Sequence, residues 1–210
     1  MKYDPSSYSK KSQQQRSLKT IEDILDAAGK LSNHDSLEEP SVRALSSKSG
    51  YALGTIYRYF ASFDDIYLQL FLWRRKKTIG SLIKLVQSHE PHRSLTELIT
   101  NIVQVGIQEC SSKPKAILKM AIRQFFKHSK EPEKFNTLMD ELIAPFLEAQ
   151  KRDQTNTFRV TSEDDMRFQV RALQMAIRNP FFEGDPIAGA DEHRRLAIEM
   201  GVRLLGKPGI

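Results

Sequence analysis

Residues 41–60, SVRALSSKSGYALGTIYRYF, decide the fold that this sequence predicts. Two short helical patterns lie on either side of Gly50, and a glycine there can adopt a positive φ angle at no steric cost. A sharp turn between two short helices is typical of a helix-turn-helix, whose second helix enters the major groove of DNA. Ile56 and Phe60 lie four residues apart on the second helix, so we expect them to anchor it to the core.

Helical periodicity continues on both sides of this stretch. A capping box formed by Thr20 and Asp23 predicts that the first helix starts there, and residues 21–31 carry its apolar face. Pro145 is expected to kink a later helix, and Asn179-Pro180 to end the next one. Further helix starts are marked by a capping serine or a first-turn proline, at Ser62, Ser94, Pro114, Pro132 and Ser162. The sequence therefore predicts an all-α fold of about nine helices.

The composition excludes several classes of protein. The chain has 210 residues and a formal net charge of +6, and it holds no apolar run near the ~20 residues that a membrane span needs. The N-terminus is too polar for a secretory signal, and the single cysteine, Cys110, excludes a disulfide framework and a multi-cysteine zinc site. Since no catalytic triad, glycine-rich phosphate loop or metal-ligand cluster stands out, we expect no enzyme, no metal site and no cofactor. We expect a cytoplasmic protein. We also expect Cys110 to be a small, partly buried residue.

The positive charge is concentrated at the N-terminus. Residues 1–20 hold five basic residues against one acidic residue, whereas residues 21–60 hold four basic and six acidic residues. Because the N-terminal stretch is rich in Ser, Gln and Lys, residues 1–19 are predicted to form a flexible basic arm. Such an arm is either a solubilising tail or a nucleic-acid-binding segment, in which the candidate contacts are Lys10, Lys11, Arg16 and Lys19.

A second basic run, WRRKK over residues 73–77, lies in the predicted fourth helix. We interpret this run as a solvated helix face, roughly 15 Å from the end of the helix that is nearest the turn motif. A site for an anionic ligand or an interface between domains is the alternative interpretation.

The segment from Ile24 to about Leu70 resembles the N-terminal domain of TetR-type (tetracycline-repressor-like) transcriptional regulators. The resemblance covers about a quarter of the chain, and its most specific part is the last block before the Ser-Phe-Asp-Asp helix start. The matching pieces are ILDAA at 24–28, SVRALS at 41–46, Gly50 and GTIYRYF at 54–60.

The resemblance implies a division of the chain into two functional regions. Residues 20–65 would form the helix-turn-helix DNA-binding domain, and residues 66–210 a helical effector-binding and dimerisation domain. The sequence departs from the family at Phe63, where a lysine that meets a phosphate is common. It departs again at Ser32, where an aromatic residue is usual.

The resemblance also assigns roles to single residues in the helix-turn-helix region. Tyr57 falls where the family commonly contacts the DNA backbone, and packing against the first helix is the alternative for its ring. Arg43 falls where a basic residue can reach a guanine edge or a phosphate. Besides the four basic residues of the arm, the candidate DNA-binding residues are Ser41, Arg43, Leu53, Gly54, Thr55, Tyr57, Arg58 and Tyr59.

In the C-terminal region the resemblance implies an effector pocket in the central helices and a dimer interface in the last two. The candidate pocket residues, for which ordinary core packing is the alternative, are Met120, Phe125, Phe126, Phe135 and Met139. The interface is predicted as a four-helix bundle with two helices from each chain. Its candidate residues are Met166, Val170, Leu173, Ile177, Leu196, Ala197, Met200, Gly201 and Leu204.

The resemblance thus implies a ligand-responsive, DNA-binding transcriptional regulator. We expect a repressor that a small-molecule effector releases from a palindromic operator in double-stranded DNA. Such a protein would be a bacterial, nucleoid-associated homodimer that contacts no membrane. The alternative is a family member that coats DNA or recruits a protein partner without an effector.

Overall fold

The computed structural model describes residues 5–32, 41–111, 125–127 and 137–209, with side chains from residue 15 onward except at 32 and 138. Across these ranges the chain forms helices and no strand, and one isolated antiparallel bridge pairs Phe158 with Gly206. This result confirms the all-α prediction. The elements are α1 Pro5–Ser32, α2 Val42–Ser49, α3 Leu53–Tyr59, α4 Phe63–Gln87, α5 Leu95–Ser111, a 3-10 helix Leu138–Leu142, α6 Ile143–Arg152, α7 Glu163–Glu183 and α8 Asp191–Leu205.

Helix α1 begins at Pro5, well before the predicted start at Thr20. The hydroxyl of Thr20 donates to the backbone carbonyl of Arg16 at 2.9 Å, so Thr20 lies inside the helix and does not cap it. Proline suits a first helical turn, and the Ser, Gln, Lys and Arg residues that follow are tolerated in helices. The structure therefore places residues 5–19 in a helix, where the sequence predicted a flexible arm.

Two hydrophobic cores share helix α4. The first core lies among α1, α2, α3 and the start of α4, and its buried α4 side chains are Ile66, Tyr67 and Leu70. The second core lies among the rest of α4 and the later helices, and it buries Ile79 and Leu82 of the same helix. One continuous helix thus connects the helix-turn-helix region to the larger helical body.

Pro145 lies in the first turn of α6, directly after the 3-10 helix. The backbone N–H groups of a first turn have no partner within the helix, so a proline is tolerated there. The sequence predicts a kink at Pro145. The structure has a junction at Ile143 instead, where the chain changes from 3-10 to α-helical geometry.

Pro180 lies inside α7, which continues to Glu183. Proline has no N–H, so the carbonyl of Ala176, four residues earlier, lacks its usual helical donor. The imidazole of His193 on α8 replaces that donor, because its Nε2 lies 3.0 Å from the Ala176 oxygen. The backbone N–H of Gly189 donates to the other ring nitrogen, Nδ1, at 3.0 Å. The prediction that Asn179-Pro180 ends this helix is wrong because a buried histidine satisfies the interrupted backbone.

Asp153 organises the turn that follows α6. Its carboxylate accepts hydrogen bonds from the backbone N–H groups of Thr155, Thr157 and Phe158, and also from the Thr155 hydroxyl. Burial by itself would raise the pKa of Asp153, but these hydrogen bonds outweigh it and the pKa is lowered. The turn is therefore stabilised by the ionised form of this carboxyl group.

Helices α7 and α8 bury their regular apolar stripes inside the protomer. The predicted interface residues Met166, Val170, Leu173, Ile177, Ala197 and Gly201 are all buried within the single chain. A Cβ atom on Gly201 would lie 2.6 Å from Cγ2 of Ile99 on α5, so this glycine permits close packing within the protomer. Leu204 is partly buried against the same core, and only Leu196 and Met200 of the predicted set are exposed.

Candidate nucleic-acid interface and internal cavity

The turn between α2 and α3 has the geometry that the sequence predicts. The hydroxyl of Ser41 accepts from the backbone N–H of Ala44 at 3.2 Å and so caps the start of α2. Gly50 ends α2 with a φ of 75°, and its N–H donates to the carbonyl of Ser46. The hydroxyl of Ser46 then donates to the carbonyl of Tyr51 at 2.8 Å, which holds the turn closed.

Helix α3 is anchored to the core by the two predicted residues. Ile56 is fully buried and Phe60 is 2% exposed, so both pack inward. The hydroxyl of Tyr51, in the turn before α3, donates to the carboxylate of Asp23 on α1 at 2.9 Å. These contacts fix the position of α3 relative to α1.

The opposite side of α3 faces solvent. Leu53, Gly54, Tyr57 and Arg58 are all exposed, and Thr55 is partly buried at the edge of this face. Tyr57 is 51% exposed, so its ring is available to a partner and is not packed into the core. A Cβ atom on Gly54 would meet no atom within 4 Å, which means that another molecule can approach the helix backbone closely there.

Tyr59 links α3 to the N-terminal half of α1. Its hydroxyl donates to the hydroxyl of Ser17 at 3.4 Å and accepts from the guanidinium of Arg58 at 3.3 Å. The hydrogen bond to Ser17 is the main cause that lowers the pKa of Tyr59. Arg16, next to Ser17, is exposed, so the helical segment places a cation beside the end of α3.

Two further candidate DNA-binding cations are exposed to solvent. Arg43 and Lys19 are exposed, whereas the side chains of Lys10 and Lys11 lie outside the described residues. Phe63, the first residue of α4, packs edge-on against Tyr67 with ring centroids 5.0 Å apart. The start of α4 therefore presents an aromatic ring where the resembling family often has a lysine.

A cavity of about 100 Å³ lies in the larger core, between α4, α5, α7 and the segment from the 3-10 helix to α6. Polar groups line part of its wall, namely Arg75, Thr78, Glu109, Gln174 and Arg178. Most of the wall is apolar and is formed by Phe71, Ile79, Leu82, Ile102, Met139, Leu142, Phe146, Val170, Leu173, Ile177 and Phe182.

The predicted pocket residues meet different outcomes. Met139, one of the candidate pocket residues, lines the cavity. Phe125 is buried in a small cluster against Phe71 and is not part of the cavity wall, and Phe126 is 52% exposed. Met120 and Phe135 lie outside the described residues.

The basic run over 73–77 separates into residues with different environments. Arg75 is only 8% exposed and lines the cavity, whereas Lys76 and Lys77 are exposed. A Cβ atom on Gly29 of α1 would lie 2.5 Å from Nη2 of Arg74, so Arg74 lies at the contact between α1 and α4. The interpretation as a solvated face is wrong for Arg75, which lies four residues after Phe71 and four before Ile79. This apolar register was a sequence signal that could have identified it.

Both arginines of the cavity wall are poorly solvated. Burial, together with the positive charge of Arg178, lowers the pKa of Arg75 to about 10. Burial also lowers the pKa of Arg178 to about 10, and Cys110 opposes that change. The Arg178 guanidinium carbon lies 4.8 Å from the ring centroid of Phe182. Because a pKa of about 10 leaves both groups charged at pH 7, the described part of the wall includes two guanidinium cations.

Solved structures, and not sequence comparisons, indicate the fold of this chain. No protein-family model and no curated protein matches the sequence. In the described part of the chain, no helix has the length and apolar character needed to span a membrane.

Several solved structures match nearly the whole chain. A protein from Mesorhizobium loti assigned to the TetR family has 14% identity over 91% of this chain and 99% of its own, with a TM-score of 0.60. A transcriptional regulator from a Rhodococcus species has 11% identity over 88% of this chain and 95% of its own, with a TM-score of 0.57. A TetR-family regulator from Haemophilus influenzae has 19% identity over 92% of this chain and 100% of its own, with a TM-score of 0.52. The chain therefore has the all-α fold of TetR-family transcriptional regulators.

Proposed function

We propose that this protein is a ligand-responsive DNA-binding regulator of the TetR type, which acts as a repressor and leaves its operator when a small molecule binds. The observation that carries the proposal is the exposed face of α3, which includes Tyr57 and Arg58, while Ile56 and Phe60 are buried and anchor the helix to the core. This face is joined through α4 to a body that contains an internal cavity. A reading surface and a ligand site that are connected by one helix are the two parts that such a regulator needs.

In this proposal α3 enters the major groove. The family resemblance places Leu53, Gly54 and Arg58 at or beside base-reading positions, and their exposure to solvent leaves them accessible to DNA. Tyr57 and Arg43 contact the DNA backbone or a base edge. Further phosphate contacts come from Ser41 at the start of α2, from Thr55 and Tyr59, and from Arg16 and Lys19 on the extended helix α1.

A second copy of the chain is proposed to cover the exposed apolar side chains of α7 and α8. Phe168 is 72% exposed and Met175 39%, and a spacing of seven residues places them on one face of α7. Leu196 and Met200, one turn apart on α8, are 41% and 47% exposed. A two-fold dimer presents two copies of α3, so the operator is an approximate palindrome with half-sites about 34 Å apart.

The DNA part of the proposal is tested by selecting binding sites from random duplex DNA at stated salt concentrations. Recovery of a palindrome is expected, and absence of any selective site at low salt would refute the proposal. Arg43→Ala and Tyr57→Ala are each expected to weaken operator binding about 10-fold. Arg159→Ala removes an exposed cation from the segment between α6 and α7 and is the matched control, with circular dichroism to verify folding.

A second candidate is a DNA-coating or partner-recruiting protein without an effector. The size of the cavity favours it, because about 100 Å³ is small beside the ~300–1,000 Å³ of ordinary ligand pockets. A thermal-shift screen separates the two functions, since a ligand that binds the folded state raises the melting temperature by mass action. A ligand that also releases the selected DNA supports the regulator and contradicts the alternative.

A further inference from the structure

The first turn of α3 offers few side-chain groups that can form a hydrogen bond with a base. Ala52, which precedes the helix, and Leu53 are exposed and apolar, and Gly54 has no side chain. Thr55 carries the only hydroxyl group of this turn, and it is partly buried at the edge of the exposed face. In a helix-turn-helix the N-terminal residues of the second helix contact the base edges. The side chains placed nearest the bases are therefore mainly apolar.

The charged side chain of the same face is engaged within the protein. The guanidinium of Arg58 donates to the hydroxyl of Tyr59 at 3.3 Å, and its carbon lies 5.0 Å from the centroid of that ring. The Tyr59 hydroxyl in turn donates to Ser17 on α1. A bidentate contact from arginine to guanine is the commonest specific contact in the major groove. Such a contact from Arg58 would have to compete with the interactions that hold this side chain against Tyr59.

Leu53 and Tyr57 form an apolar strip on the exposed face of α3. They lie four residues apart and are therefore neighbours on one side of the helix, with 39% of Leu53 and 51% of Tyr57 exposed. A Cβ atom on Gly54 would meet no atom within 4 Å. The helix backbone beside Leu53 can thus approach the floor of a groove closely, which lets a short leucine side chain reach a base edge.

Thymine is the base that suits this strip. Its major-groove edge carries a methyl group at C5, whereas guanine, cytosine and adenine present hydrogen-bonding groups there. Packing of leucine on this methyl group removes the apolar surface of both from water. Against a G·C pair, the same leucine would cover polar groups without replacing the hydrogen bonds that they form with water, which costs free energy. The strip therefore favours a T·A pair and disfavours a G·C pair.

We propose that the first turn of α3 recognises thymine by its 5-methyl group, and that Leu53 is the specificity-determining residue that packs on this methyl. This inference rests on the proposed function, because it requires α3 to enter the major groove of an operator. It adds the chemistry of the readout to that function. Each half-site contains a T·A pair opposite Leu53, and an apolar contact distinguishes this pair from the others.

The first test uses base analogues in duplex sites that the parent protein has selected from random DNA. Each thymine is replaced singly by deoxyuridine, which keeps the base pairing and the O4 acceptor and lacks the methyl group. We expect one position of each half-site to respond with a loss of about 4-fold in affinity, or about 16-fold for both half-sites together, the effect of one or two buried methyl groups. Equal binding of thymine and deoxyuridine at every position would overturn the proposal.

Cytosine and 5-methylcytosine give the reverse comparison at the responding position. Cytosine lacks the methyl group, and 5-methylcytosine carries it at the same carbon as thymine. We expect the cytosine duplex to bind more weakly than the thymine duplex, and 5-methylcytosine to regain about 4-fold of that loss per half-site. A 5-methylcytosine duplex that binds no better than the cytosine duplex would contradict recognition of the methyl group.

The second test assigns the contact to one residue. Leu53→Ala is expected to bind the thymine and deoxyuridine duplexes equally, because alanine ends short of the methyl group. Val160→Ala shortens an exposed apolar side chain between α6 and α7 and is expected to keep the parental ratio of the two affinities. A general loss of folding or of DNA affinity lowers both affinities and leaves their ratio unchanged. A parental ratio in Leu53→Ala would therefore overturn the assignment to Leu53.

The outcomes also separate this inference from the proposed function. Absence of any selected site at low salt would refute the proposed function and this inference with it. A selective site that does not respond to removal of the methyl group would overturn this inference and leave the proposed DNA function in place. A site that responds to 7-deazaguanine, loses that response in Arg58→Ala and ignores deoxyuridine would assign the readout to Arg58 and overturn the role of Leu53.

Discussion

Substituting Gly201 by alanine tests whether α8 packs against its own protomer at this position. The added Cβ would lie 2.6 Å from Cγ2 of Ile99 and 3.0 Å from Cδ1 of Leu173. A β-branched isoleucine is restricted at χ1, so its methyl group cannot easily swing away. Overpacking of a core costs about 1–3 kcal/mol, and this stiff contact belongs to the upper half of that range. Alanine regains about 1 kcal/mol of helix propensity, which leaves a net destabilisation of about 1–2 kcal/mol.

The assay is denaturant unfolding followed by circular dichroism, repeated at two well-separated protein concentrations because the stability of a dimer depends on concentration. The expected loss corresponds to a fall in melting temperature of about 2–8 °C for a chain of this size. Gly80→Ala is the matched control, since a Cβ on this glycine of α4 would meet no atom within 4 Å. It should stabilise the protein by about 0.5–1 kcal/mol.

The two glycine variants must therefore change stability in opposite directions. A Gly201→Ala protein as stable as the parent would refute the packing argument. A variant that dissociates into monomers while its monomer stability is unchanged would show instead that Gly201 faces a second chain.

Three further outcomes follow from single contacts. His193→Ala removes the partner of two part-buried backbone groups, the Ala176 carbonyl and the Gly189 N–H. Denaturant unfolding should therefore show a loss of about 2–4 kcal/mol, and a loss below about 1 kcal/mol would contradict the role of the imidazole. Asp153 has a lowered pKa, so the stability it contributes is present above the ordinary carboxyl pKa and is lost as pH falls through the lowered value. Asp153→Asn should therefore be less stable than the parent at pH 7. In acid the free energies of unfolding of the two proteins should converge. Phe63→Lys adds one phosphate contact in the proposed complex. A plot of the logarithm of the operator-binding constant against the logarithm of salt concentration should therefore steepen by about 0.9 in slope. An unchanged slope would place this residue away from the DNA.

The helix-turn-helix was predictable because its signals are local. A capping serine at 41, a positive-φ glycine at 50 and two apolar residues one turn apart each act within a few positions of the chain. The start of α4 was predictable for the same reason, since Ser62 accepts a hydrogen bond from the backbone N–H of Asp65. Such features require no knowledge of the rest of the fold.

For α7, the differences between prediction and structure arise because the deciding partner is distant in the chain. Pro180 continues a helix only because His193, from the next helix, reaches the interrupted carbonyl. On α7 both the stripe that includes Val170 and the face that includes Phe168 are apolar, and periodicity cannot tell which of them meets the protomer's own core. Arg75 was assigned to solvent from its charged neighbours, although it lies in the apolar register of α4.

Helix α4 determines how ligand binding could reach the DNA in the proposed regulator. Arg75 and Phe63 are twelve residues apart on this helix, a distance of about 18 Å at 1.5 Å per residue. A tilt of about 10° at the cavity would therefore move the start of α4 by about 3 Å, if the helix behaves as a rigid rod. Ile66 and Tyr67 pack in the same core as Ile56 of α3, so α3 must follow the start of α4 or lose those contacts. Since hydrogen bonds tolerate only a few tenths of an ångström, a tilt of this size would misplace the reading helix without any contact between that helix and the ligand.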